Sequence, residues 1–199
     1  EKSFDNFHTS KDRIYRLVRE HKGPSKEYRT GVPFPVAEGL RKDYPQAKNT
    51  AAICARYDVQ VMIPGARGQV LKKFKESRAV FFAEQSFFNL FDFKIVKGNP
   101  QNAIVEPNTA LLSKAVATKY FGDWNAAMGK MIQVYGLNIS VTGIIENPPV
   151  NTDFPLGVVI SYPTLDVDMS NWVNISDNNY CFVHLPHNYL AAQFSALLP

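Results

Sequence analysis

The chain has 199 residues, of which 45% are hydrophobic, 20% charged and 13% aromatic, and its net charge is +4. That apolar content excludes a disordered chain, 11 Gly with 13 Pro are too few for a collagen-like or linker protein, and two Cys cannot build a disulfide scaffold. The length supports a real core in one large domain or two small ones.

Near the start, Asp5, Ser10 and Asp12 among Phe4, Phe7 and Ile14 predict a short helix or turn with capping residues. Residues 14–21 (IYRLVREH) read as a strand, broken at Gly23-Pro24-Ser25. Val36, Leu40 and Tyr44 at helical spacing predict a helix over 35–44, stopped by Pro45. Residues 51–63 read as extended, and 64–68 (PGARG) as a turn. Strands are expected at 70–75 and 78–83, then a short aromatic helix over 86–91 that is left by 93–96. Residues 109–121 (TALLSKAVATKYF) predict a longer helix, with Leu112, Val116 and Tyr120 on one face and Gly122 as its stop. Two strands, 130–135 and 139–146, flank Gly136-Leu137-Asn138 as a hairpin. Further strands are expected at 156–162 and 180–185, separated by a polar loop over 166–179 with Trp172 as an anchor, and a helix begins near Asn188. The class is α+β in two layers.

No stretch approaches the ~20 apolar residues of a membrane span, and no signal-peptide pattern opens the chain. The chain lacks an initial Met and stops inside a helical pattern, so a piece of a longer protein is expected. The basic residues are scattered, with Lys11, Arg13, Arg16 and Arg19 in one stretch and Lys72, Lys73, Lys75 and Arg78 in another. Such scatter reads as a solvated basic face rather than a nucleic-acid stripe; approach to anionic lipid stays open.

The chemistry-bearing residues form no catalytic constellation. His184 and His187 are three apart, but on a strand and at a helix start, without HExxH or CxxC, so no metal site is expected. Cys54 and Cys181 sit in apolar strands, where buried thiols are the ordinary outcome; a disulfide between them stays open. Ser86, Ser113 and Ser161 lie outside GxSxG and have no partner base in motif context. Gly65 and Gly68 lack the Lys and helix of a P-loop. Asn138-Ile139-Ser140 and Asn174-Ile175-Ser176 match the glycosylation triplet, which is common by chance. Phe81, Phe82, Phe87, Phe88, Phe91 and Phe93 read as core before they read as a binding surface. No catalytic, cofactor-binding or metal residue is therefore assigned.

Several segments, in order, resemble one family. Phe4-Asp5-Asn6-Phe7-His8 followed by Asp12-Arg13-Ile14-Tyr15-Arg16 resembles the stretch after the first transmembrane helix in MacB/FtsX-like permeases, most of all the Bacteroidetes type. The run from Ser86 to Phe93 with Val96-Lys97-Gly98 resembles that family's double-phenylalanine segment. Leu111-Leu112-Ser113-Lys114, then Lys119-Tyr120-Phe121-Gly122, Met128-Gly129-Lys130, Val141-Thr142-Gly143-Ile144-Ile145 and Asn147-Pro148-Pro149 are similar to elements that follow in it. Ser161-Tyr162-Pro163 meets its last element only loosely.

The resemblance implies an extracytoplasmic domain between the first two transmembrane helices of an ABC-transporter permease of the inner membrane, on its periplasmic side. It implies a discontinuous, porter-like split β-α-β part, expected at 1–75 and 156–199, and an inserted smaller α/β part at 76–155. It implies no catalysis here, with ATP hydrolysed by a separate cytoplasmic ATPase whose motion the domain relays. Partners would be that ATPase, through transmembrane helices, and a periplasmic adaptor or substrate protein, in a dimeric permease. An alternative function is direct capture of a hydrophobic peptide, drug or lipoprotein, which predicts an open apolar cleft near the porter-like part.

Overall fold

The computed structural model describes residues 5–21 and 27–198. The Gly23-Pro24-Ser25 break, Phe4 and Pro199 lie outside the described residues. The strand expected at 14–21 is two short strands, β1 (Ile14–Arg16) and β2 (Arg19–His21). β2 pairs with β3 (Glu27–Arg29) in a separate two-stranded arm. Helix α1 (Val36–Asp43) follows as expected, burying Ala37 and Leu40.

Residues 51–63 are extended but broken once, into β4 (Thr50–Arg56) and β5 (Val59–Pro64). Asp58 sits at the break with φ 53, a conformation that Asp tolerates better than most residues, and its N–H donates to the Ser77 carbonyl. The return path is β6 (Val70–Glu76) and β7 (Val80–Ala83), so β4–β5 and β6–β7 form one long hairpin with a break in each arm. Helix α2 (Phe87–Leu90) and strand β8 (Ile95–Lys97) come next.

The helix expected over 109–121 is half wrong. Thr109–Ser113 is strand β9, and only Lys114–Phe121 is helix α3. β9 pairs on its two edges with β11 (Leu137–Ile145) and β12 (Val158–Ser161), and both its faces are buried, Ala110 and Leu112 in one core and Leu111 in the other. Ser113 then caps α3, its hydroxyl accepting from the Val116 N–H, and Gly122 ends it at φ 84. β10 (Met131–Val134) and β11 make the expected hairpin. Strand β13 (Asn179–His184) and the short helix α4 (Ala191–Ser195) complete the chain.

The strand order is β1-β13-β4-β7-β12-β9-β11-β10-β5-β6, with β8 paired on β11. β13 is antiparallel to both β1 and β4, so β1, α1 and β4 form a split β-α-β unit with β13 threaded between its strands. The order also returns on itself, because β5, paired with β10, is the continuation of β4. The expected partition into 1–75 with 156–199 and 76–155 does not follow a break in this sheet. β4 of the first part pairs with β7 of the second, and β5 with β10, so hydrogen bonding runs through both.

Alternation along the strands sorts side chains into two cores. One holds Ala52, Cys54, Val80, Phe82, Ala110, Leu112, Val158 and Ile160 and is packed by α1 and α3. The other holds Ala51, Ile53, Phe81, Leu111, Val159 and Phe182 and is covered by the aromatic segment Phe87, Phe91, Phe93 and Phe154. Arg41 of α1 clamps Glu84 with two bonds of 2.9 and 2.8 Å and also donates to the Thr50 carbonyl, while Glu84 accepts from the Ala52 N–H. This bidentate pair fixes the helix on the split β-α-β sheet.

Candidate functional site: a groove between helix α1 and the β2–β3 arm

Two short polar strands cannot bury a face of their own, so the β2–β3 arm stands off the sheet and leaves a groove beneath it. The groove has a volume of about 840 Å³. Its apolar surface comes from Leu17 and Val18 before the arm, Val32 and Pro33 after it, Val36 and Leu40 of α1, and Trp172. Arg19, Glu20, His21 and Arg29 of the arm, with Asp43 of α1, supply a polar rim.

The walls are fixed by the loop that leads into β13. Asn179 is fully buried and donates its side-chain amide to the Val32 carbonyl, while Val32 N–H donates to the Asn179 carbonyl. The Asn179 side-chain oxygen accepts from the buried Tyr162 hydroxyl at 2.8 Å. Arg19 donates to the Gly31 carbonyl and pairs with Asp177 at 3.4 Å. Gly31 packs so closely on Ser176 and Asp177 that a Cβ there would lie 2.4 Å from their backbone. At the far wall the Trp172 ring lies against Gly39 of α1, where a Cβ would come within 2.7 Å of it. Trp172 is therefore the expected anchor on one side only, since it remains 55% exposed.

The residues singled out from the sequence lie elsewhere. Cys54 and Cys181 lie on the adjacent antiparallel strands β4 and β13, two rungs apart: Cys54 faces Asn179, and Cys181 faces Ala52. Both are free and buried, and burial pushes both thiols above their usual range. Ser113 is a helix cap, Ser86 bonds Glu84, and Ser161 is fully buried with an unpartnered hydroxyl. His184 is shifted down by burial, then by Arg13 and His187. Among the described residues no group of His, Cys, Asp or Glu could hold a metal ion, and no helix is long and apolar enough to cross a membrane. Of the phenylalanines, Phe82 faces one core, Phe81, Phe87, Phe91 and Phe93 the other, and Phe88 packs against the second. The groove residues Val18, Gly39 and Trp172 share no motif, and only the three-dimensional approach of α1 to the loop brings them together.

The sequence profile of the MacB-like periplasmic core domain matches residues 1–198. The chain belongs to that family. It is thus the periplasmic core domain of a MacB-like ABC-transporter permease. Solved structures agree in fold. A domain of a suspected permease protein from Porphyromonas gingivalis superposes with a TM-score of 0.79 at 18% identity, covering 96% of this chain and 83% of that one. The periplasmic region of MacB from Actinobacillus actinomycetemcomitans gives 0.63 at 12% identity, over 93% and 80%. The extracellular domain of the noncanonic ABC-type transporter YknZ from Gram-positive bacteria gives 0.58 at 12%, over 92% and 87%. A search of curated protein sequences returned no match. The α+β class expected of this core domain is the class found, a mixed sheet with few helices.

Proposed function

We propose that this periplasmic core domain relays ATP-driven motion of the permease's transmembrane helices and engages a substrate or partner protein at the groove between α1 and the β2–β3 arm. The observation that carries this reading is the groove itself. An apolar trough with a polar rim is the surface on which an extruded apolar segment or a docking protein gains most from desolvation. One of its walls is a two-stranded arm outside the main sheet, so the groove's width can change without breaking that sheet. The domain lies on the periplasmic side of the inner membrane in this reading, within a dimeric permease served by a cytoplasmic ATPase. It performs no catalysis of its own.

Direct capture of a hydrophobic peptide, drug or lipoprotein is the second reading, and the groove's volume falls within the ~300–1,000 Å³ of ligand pockets. One experiment addresses both. In the full-length permease, Trp172→Ala with Val18→Ser is expected to abolish transport while the ATPase rate of the complex stays within about twofold of wild type, both side chains being exposed enough for the fold to tolerate the change. Quenching of Trp172 fluorescence by an apolar peptide added to the domain alone supports capture, whereas quenching only by a partner protein supports relay through docking. Transport unchanged in the double variant would remove the groove from the function.

A further inference from the structure

The other face of the split β-α-β sheet carries a second cleft, independent of the groove and of the function proposed for it. Its volume is about 470 Å³, within the range of small-molecule sites. Phe91, Phe154 and Phe182 form its apolar floor, their ring centroids 5.1 to 5.6 Å apart. Arg16, Arg78, Tyr57 and Tyr180 also line it, Tyr57 and Arg78 from the two breaks in the long hairpin. The guanidinium groups of Arg16 and Arg78 have no ion-pair or hydrogen-bond partner among the described residues.

His8, Asp5, Asp153 and Lys11 belong to the same lining. The His8 side chain is only 1% exposed. Its Nδ1 accepts from the Asp92 N–H at 2.9 Å, so in the neutral ring the proton is on Nε2. Nε2 finds no acceptor. The nearest carboxylate oxygen, on Asp5, is 3.7 Å away, too far for a hydrogen bond. That carboxylate already accepts from the Thr152 hydroxyl and the Asp153 N–H. A buried N–H without an acceptor is costly, and His8 packs directly beneath the rest of the lining of the cleft.

We propose that this cleft binds a small organic anion, one carboxylate or phosphate group on a compact apolar body. Arg16, Arg78 and the two tyrosine hydroxyls hold the head, and the three phenylalanines take the body. Asp5 and Asp153, also in the lining, disfavour a second anionic group, and the buried His8 ring beneath them reports on occupancy. Guanidinium is suited to either head because its planar fork matches both oxygen geometries.

The test titrates the 199-residue chain with phenylacetate, phenyl phosphate, inorganic phosphate and phenethylamine, read by calorimetry and by the NMR signals of the His8 ring. Saturable binding of phenylacetate or phenyl phosphate with a shift of the His8 resonances supports the proposal, and whichever binds tighter identifies the head. Arg16→Ala and Arg78→Ala are each expected to weaken that binding about tenfold, the usual loss of a charged hydrogen bond, without lowering Tm. Failure of both aromatic anions to saturate at millimolar concentration overturns it. So does phenethylamine binding as tightly as phenylacetate, inorganic phosphate binding as tightly as phenyl phosphate, or anion binding indifferent to both arginine variants.

Discussion

His8 shows how a single side chain can tie remote segments and set a pH limit. It is enclosed by Phe7, Phe91 and Phe93, with ring centroids 3.9 to 5.2 Å away, and it joins the start of the chain to the residues after α2 through the Asp92 N–H. Burial lowers its pKa below the ordinary histidine value of 6.5, against the weaker pull of Asp5 and Asp92. The unfolded chain therefore binds this proton more readily than the folded one. Stability is full above about pH 6.5 and falls as pH drops below it, through the window where the unfolded ring charges first. His184 is shifted the same way and adds to the slope. His8→Asn keeps an acceptor for Asp92 but cannot titrate, so its Tm should decline less than wild type between pH 7 and 5; equal slopes would assign the effect to other groups. The sequence shows His8 only within a family-like stretch, because its value comes from rings far away in the chain. Cys54 and Cys181 were legible as strand residues in apolar context, but that β4 and β13 pair, and with a two-rung offset between the cysteines, depends on a register that no composition encodes.

Elements were legible where a local signal punctuates them. The α1 helix, its stop at Pro45, the 64–68 turn and the Gly122 helix end all follow from residues within the segment itself. β9 was not legible, since Thr109 to Phe121 presents one continuous apolar pattern, and only pairing between β11 and β12 makes its first five residues a strand. The β10–β11 hairpin was legible in place but not in turn type. Its two central residues are Tyr135 at φ 52 and Gly136 at φ 81, one position earlier than the glycine-led signal suggests. Positive φ at both is the type I′ turn, in which Asn-Gly is the favoured pair. Tyr135 is 60% exposed, so its side chain contributes little packing in return for the strained backbone. Tyr135→Asn should raise stability by about 0.5–1 kcal/mol, and Gly136→Ala should lower it by about 1 kcal/mol, both read from urea denaturation midpoints at constant m. If Tyr135→Asn lowers the midpoint, the tyrosine ring makes a contact worth more than the turn strain.

At the scale of the whole molecule, strand pairing crosses the boundaries expected near residues 75 and 156. The sequence does restart its elements after Pro64 and Pro155, but the consecutive strands β4 and β5 take part in different stretches of the sheet, β4 beside β7 and β5 beside β10. The halves are thus coupled through backbone hydrogen bonds, and adjustable geometry is left to what lies outside the sheet: the β2–β3 arm, and the loop carrying Trp172 where it meets α1. Gly39 is the position that tests this. It lies inside α1, where Ala is favoured over Gly by about 1 kcal/mol of helix propensity, yet a Cβ there would stand 2.7 Å from the Trp172 ring. The ring is the half-exposed end of a loop side chain and can move away, so the clash is relieved by displacement rather than by unfolding. Gly39→Ala is therefore expected to leave denaturation midpoints unchanged or slightly raised, to red-shift Trp172 emission as the ring leaves the helix, and to reduce transport by the full-length permease severalfold. A fold left intact with Trp172 displaced and transport at wild-type rate would mean that the wall between α1 and the loop is not part of the working surface, and would confine the function to the arm.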